Sequence, residues 1–74
     1  MDNRVPFAVA AVNELTRIKK QNPAKWTSGT NLERLAEKLG YKPSYGAREA
    51  RRLAAKGFID RSETEEGYVQ YKAH

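Results

Sequence analysis

Apolar residues recur along this chain in three runs of helical period, followed by one run that alternates. In the first run Val5, Ala8, Val9, Val12 and Leu15 follow helical spacing, and Phe7, Ala11 and Ile18 widen the stripe. A stripe that broad implies packing against more than one neighbour. Pro6 suits the first turn of this helix, where its missing N–H costs nothing. Arg17, Lys19 and Lys20 complement the negative end of the helix dipole, and Pro23 closes the segment. In the second run Leu32, Leu35, Ala36 and Leu39 make a single apolar face. Thr30 with Glu33 three residues on has the form of a capping box, and Gly40 has the place of a C′ glycine. The turn Tyr41-Lys42-Pro43-Ser44 leads into the third run, with Ser44 the expected N-cap. Ala47, Ala50, Leu53 and Ala54 form its inner face, and the three alanines permit a close approach to the leucines of the second helix. Gly57 terminates it, and Phe58 is placed to fold back on the last turn.

Beyond Gly57 the period changes. Val69 and Tyr71 alternate with Gln70 and Lys72, as in a half-buried strand, and Ser62-Glu63-Thr64-Glu65-Glu66-Gly67 connects it to an earlier strand. The pattern predicts helices over about 6–21, 31–39 and 45–56, and strands over about 58–62 and 68–72. Lys25-Trp26-Thr27 is long enough for a very short additional strand. The expected fold is a single α+β domain over 1–74: a small winged helix-turn-helix, three helices followed by a C-terminal β-hairpin wing.

Size and charge narrow the function classes. A chain of 74 residues has room for one core, and at this size about 60% of the unfolded surface is hidden on folding. The absence of cysteine excludes a disulfide framework and zinc-finger chemistry, and it fits a reducing compartment. No apolar run approaches the roughly 20 residues that span a bilayer, and the first residues lack the pattern of a secretory signal. The expected location is therefore cytoplasmic, without a membrane partner. The only histidine is His74, and there is no glycine-rich phosphate loop, so neither catalysis nor a cofactor or metal is expected. A net charge of +5 and a pI near 9.8 favour anionic partners.

The position of the positive charge is more telling than its amount. On the third helix Tyr45, Arg48, Glu49, Arg52 and Lys56 fall opposite the apolar face, with Arg51 on a flank. Arginine can donate two parallel hydrogen bonds to guanine O6 and N7, and lysine neutralises phosphate. A solvated helix face would explain these charges taken alone; their coupling to a preceding helix and turn favours nucleic acid. Phosphate contacts are assigned to Lys42, Ser44, Arg51, Lys56 and Arg61, with the amides at the start of the third helix assisting. Base reading falls to Tyr45, Arg48 and Arg52. The hairpin tip is a counter-signal, because Glu63, Glu65 and Glu66 would be repelled by a phosphate backbone. Arg17, Lys19, Lys20 and Lys25 are a candidate second phosphate-contacting patch, most of it explained more cheaply by the helix dipole, and Trp26 reads as core or the rim of the core.

The segments Leu32-x-x-Leu35-Ala36-x-x-Leu39-Gly40 and Ala47-Arg48-x-Ala50-x-Arg52-Leu53-x-x-Lys56-Gly57-Phe58-Ile59-Asp60-Arg61 resemble the winged helix-turn-helix superfamily. The run from Leu53 to Arg61 is similar to the junction between recognition helix and wing in MarR-like repressors. The resemblance implies that the helix over 44–56 enters the major groove, that Tyr45, Arg48 and Arg52 face bases or phosphates, and that the protein works as a dimer. Glu49 stands where that family is often apolar, the wing tip is unusually acidic, and the long dimerisation helices are missing. The same junction is also found in winged-helix proteins that bind RNA or protein.

The expected function is thus binding of double-stranded DNA by a small transcriptional regulator of bacterial or phage type, with a homodimer on a two-fold operator as one arrangement. Two other readings are open. One is a protein-interaction module, an adaptor or inhibitor docking through its acidic wing. The other is a protein that binds structured RNA or the ribosome.

Overall fold

The computed structural model describes residues 6–74. In chain order the elements are α1 (Phe7–Gln21), β1 (Thr27–Ser28), α2 (Gly29–Lys38), α3 (Pro43–Ala55), β2 (Ile59–Glu63) and β3 (Val69–Ala73). The strands form one antiparallel sheet in the order β1-β3-β2, so β3 is central and pairs with both others. Thr27 stands opposite Tyr71, and β2 runs from Ile59 opposite Ala73 to Glu63 opposite Val69. Three helices with a hairpin laid against them give a small α+β domain of winged-helix layout. Among the described residues no helix is long and apolar enough to cross a membrane.

The core draws on every helix and on the inner ends of all three strands. Phe7, Ala11 and Leu15 line one side of α1, a spacing of four that keeps them on one face. Leu32 and Ala36 come from α2, Ala50 and Leu53 from α3, Ile59 from β2, and Tyr71 and Ala73 from β3. Thr27 of β1 is buried among them. Phe7, Leu15, Leu32 and Ile59 are the largest fully buried side chains, each worth about 1.5–3 kcal/mol of burial. The axis of the α1 stripe is rotated from the expected one: Phe7 and Ala11, expected to widen it, are buried together with Leu15, while Ile18 is half-buried and Val9 exposed. Val5 lies outside the described residues.

The helix ends divide into those the sequence located and those it displaced. Both glycine stops are Schellman turns. Gly40 N–H donates to Glu37 O and Tyr41 N–H to Ala36 O; Gly57 N–H donates to Ala54 O and Phe58 N–H to Leu53 O. Gly40 and Gly57 take φ of 94° and 84°, a conformation costly for a side chain. The N-terminal ends differ from expectation. Ser28, not Thr30, caps α2: it is extended, and its Oγ accepts from Asn31 N–H at 3.2 Å. The helix follows β1 directly, so its start is fixed by the sheet and Thr30 falls inside the first turn. Ser44 does not cap α3. Lys42 occupies that position and Pro43 is the first helical residue, where the fixed φ of proline suits the helix. Pro6 likewise precedes α1 rather than opening it. Both wing strands begin one residue later than expected, and β1 is Thr27–Ser28.

Candidate nucleic-acid interface

The helix pair α2–α3 is set by a residue that the apolar pattern passed over. Gly46 is buried in the first half of α3, and a Cβ built there would lie 2.7 Å from Leu32 O, 2.9 Å from Ala36 Cβ and 3.0 Å from Glu33 Cα. No side chain fits, so the backbones of the two helices meet here. A glycine inside a helix costs roughly 1 kcal/mol of propensity, and this close approach is what offsets it. Burial along α3 centres on Gly46, Ala50 and Leu53, while Ala47 and Ala54 are only half-buried.

That rotation decides which side chains face outward. Ser44, Arg48, Arg51, Arg52 and Lys56 are exposed, as are Lys42 before the helix and Arg61 on β2. Glu49, expected on the outer arc, lies at the edge of the buried face with its side chain 15% exposed, and its carboxylate pairs with Arg52 at 3.6 Å. Tyr45 is half-buried as well. Its ring stacks on Tyr41 at 4.6 Å between centroids and meets Phe7 edge-on at 5.9 Å. The Arg48 guanidinium carbon sits 5.8 Å from the Tyr45 centroid, within cation–π range. Tyr45 thereby anchors α3 to α1 and supports Arg48.

The start of α3 offers fewer amides than expected. Pro43 has no N–H, and Tyr45 N–H already donates to Lys42 O at 3.0 Å. What this end presents to an anion is mainly the Lys42 ammonium and the Ser44 hydroxyl, the latter released from capping.

The wing closes on the opposite flank of α3. Arg51 and Arg61 line one hollow together with Ala54 and Ala55, and among the described residues no carboxylate borders it. In an antiparallel pair, residues directly opposite share a face, which places Arg61 with Tyr71 on the side turned to the helices. The register puts Glu63, opposite Val69, on that same side nearer the tip. Among the described residues Lys42, Arg51, Lys56 and Arg61 pair with no carboxylate, so four cations stand uncompensated around α3 and the base of the wing. Lys72 is spoken for: its ammonium lies 5.4 Å from the Trp26 ring centroid.

The hairpin turn is built from its own polar groups. Thr64 N–H donates to Tyr68 O at 2.8 Å, and Thr64 Oγ1 accepts from Tyr68 N–H at 3.1 Å. Gly67 has φ of 89° and completes the turn. Glu65 and Glu66 stand exposed at the tip. At the other end of the hairpin, His74 Nδ1 lies 3.2 Å from Asp60 Oδ1 and its Nε2 contacts Gly57 O.

The sequence reading placed the cations of α3 outside correctly but missed Gly46 and the pairing of Arg51 with Arg61 across the hollow. The first signal was present, as a glycine within an otherwise helical run. The second depends on the strand register, which the sequence alone leaves free. Set against known protein families, curated proteins and solved structures, the chain matches none.

Proposed function

We propose that the protein binds double-stranded DNA, with α3 in the major groove and the base of the wing against the adjoining backbone, as a small transcriptional regulator. The observation that supports this most is the hollow, without a carboxylate among the described residues, in which Arg51 of α3 and Arg61 of β2 converge. It continues the exposed row Ser44–Arg48 along the helix, while Arg51 also borders a second hollow together with Glu33. Arg48 and Arg52 are the candidates for base edges, with Lys42, Ser44, Arg51, Lys56 and Arg61 on phosphates. Tyr45 contributes by holding Arg48 in place. The MarR-like resemblance, with its implied dimer, belongs to the same proposal.

Duplex binding measured across a salt series tests it. Wild type should lose affinity steeply as salt rises. Arg51→Ala/Lys56→Ala should flatten log K against log [salt] by about 2, with roughly one unit of slope lost per phosphate contact. Salt-insensitive binding, or a slope unchanged in the variant, would overturn the reading.

Glu65 and Glu66, exposed and without an ion pair among the described residues, favour one second reading, a basic protein partner docking on the wing tip. It predicts that neutralising the tip abolishes partner capture while the α3 variant leaves it intact. Competition of the labelled duplex by folded RNA at equal salt tests the RNA reading in the same assay.

A further inference from the structure

Three charged residues of α2 border two hollows of different make-up. Glu33 and Glu37 are four residues apart, and so are Arg34 and Lys38. Arg34 and Glu37 have the attractive i, i+3 spacing and Lys38 lies in the last turn, so helix stability accounts for the order itself. Glu33 borders a hollow shared with Arg51 and Val69, on the α3 side. Arg34 and Lys38 border a separate cleft on the other side of α2, against the second half of α1.

This second cleft has a distinct make-up. Its rim carries Arg34 and Lys38 from α2 and Arg17 from α1, and its floor is Ile18, Leu32 and Leu35. Arg34 and Lys38 make no ion pair or hydrogen bond among the described residues. Arg17 is held by Glu14, with Nε donating to Glu14 Oε2 at 3.4 Å and a second contact through Nη2. That hydrogen bond and the neighbouring negative charge raise the pKa of Arg17. Three cations from two helices thus meet around a concave surface that holds one carboxylate, and two of the three are uncommitted.

We infer that the α1–α2 cleft is a second binding site for a nucleic-acid backbone, so that one molecule can bridge two duplex segments. The inference rests on the DNA reading of α3, because a chain that holds one duplex through α3 presents this cleft across α2 from it. A continuous phosphodiester backbone supplies the row of negative charge that Arg34, Lys38 and Arg17 match, and backbone contact of this kind is independent of sequence.

The test is a sandwich capture: beads carry one short duplex, and the protein is asked to retain a second, labelled duplex at low salt. Wild type should retain it. Arg34→Ala/Lys38→Ala should bind a single duplex within about twofold of wild type yet lose roughly tenfold in capture, because two phosphate-facing cations are gone from one site only. Lys20→Ala/Lys25→Ala, equal in charge but outside the cleft lining, should capture like wild type. Circular dichroism of each variant confirms that folding is intact. Capture unchanged by Arg34→Ala/Lys38→Ala, or lost equally in the charge-matched control, overturns the second site. Single-duplex binding by wild type without capture also overturns it while leaving the α3 reading standing. Failure of wild type to bind any duplex removes the α3 reading itself, and the second site with it.

Discussion

The α2–α3 pair and the wing hairpin are joined by the three residues Lys56-Gly57-Phe58 but are built on opposite terms. In the helix pair each position near the contact is fixed by a buried neighbour: Gly46 against Leu32 O, and Leu32, Ala36 and Ala50 without exposed surface. In the hairpin only the inner ends, Ile59 with Tyr71 and Ala73, are buried, while the outer half holds itself together through Thr64, Gly67 and Tyr68. The lesson is a division of labour. Changes in the helix pair should act on stability first and on binding only as a consequence. Changes in the outer hairpin should act on binding and leave stability alone.

The largest expected effect breaks the comparison on the helix side. Gly46→Val drives two methyls into backbone atoms that cannot rotate away, and overpacking of this kind costs about 3 kcal/mol. Urea unfolding should show the midpoint falling sharply, and DNA binding should be lost in proportion to the unfolded fraction. Full stability in this variant would mean that the two helices are not in backbone contact.

A smaller effect is expected at the glycine between the two regions. Gly57 has a φ of 84° with open space around it, so Gly57→Ala suffers from backbone strain alone, about 1–2 kcal/mol. Because this residue sets the angle at which the wing leaves α3, the salt slope should also flatten, as Arg61 loses its alignment with Arg51. Unchanged binding with reduced stability would separate the wing from the DNA surface and sharpen the comparison further.

The smallest effect on stability should come from the tip. Glu65→Gln/Glu66→Gln alters exposed side chains and should shift unfolding by less than about 0.5 kcal/mol. Duplex affinity at low salt should rise, since two repelling charges are removed. A fall in affinity would assign the glutamates a direct role in binding.

How far the sequence was readable follows the same division. Signals local to a turn survived intact: both Schellman glycines, Gly40 and Gly57, stand where the pattern put them. Signals overruled by neighbouring structure did not. Thr30 and Ser44 have good capping chemistry, yet β1 starts α2 two residues earlier and Pro43 starts α3 ahead of its serine. The orientation of α3 was misjudged because Ala47 and Ala54 are apolar while Gly46 scores as nothing, although Gly46 is the contact. That error carried Glu49 and Tyr45 outward and left Arg51 on a flank. The hollow between Arg51 and Arg61 was out of reach for a different reason, since it depends on the strand register that turns Arg61 to the helix side.

The strand order has a consequence for solubility. With β3 in the middle, the sheet ends on one side in the two residues of β1 and on the other in β2, an open edge whose backbone groups are free to template another strand. The first edge is too short to recruit a partner. The second carries Asp60, Arg61 and Glu63 within five residues, so a strand drawn alongside would have to pair its backbone beside alternating charges. Arg61 and Glu63 therefore guard the molecule against sheet-to-sheet aggregation.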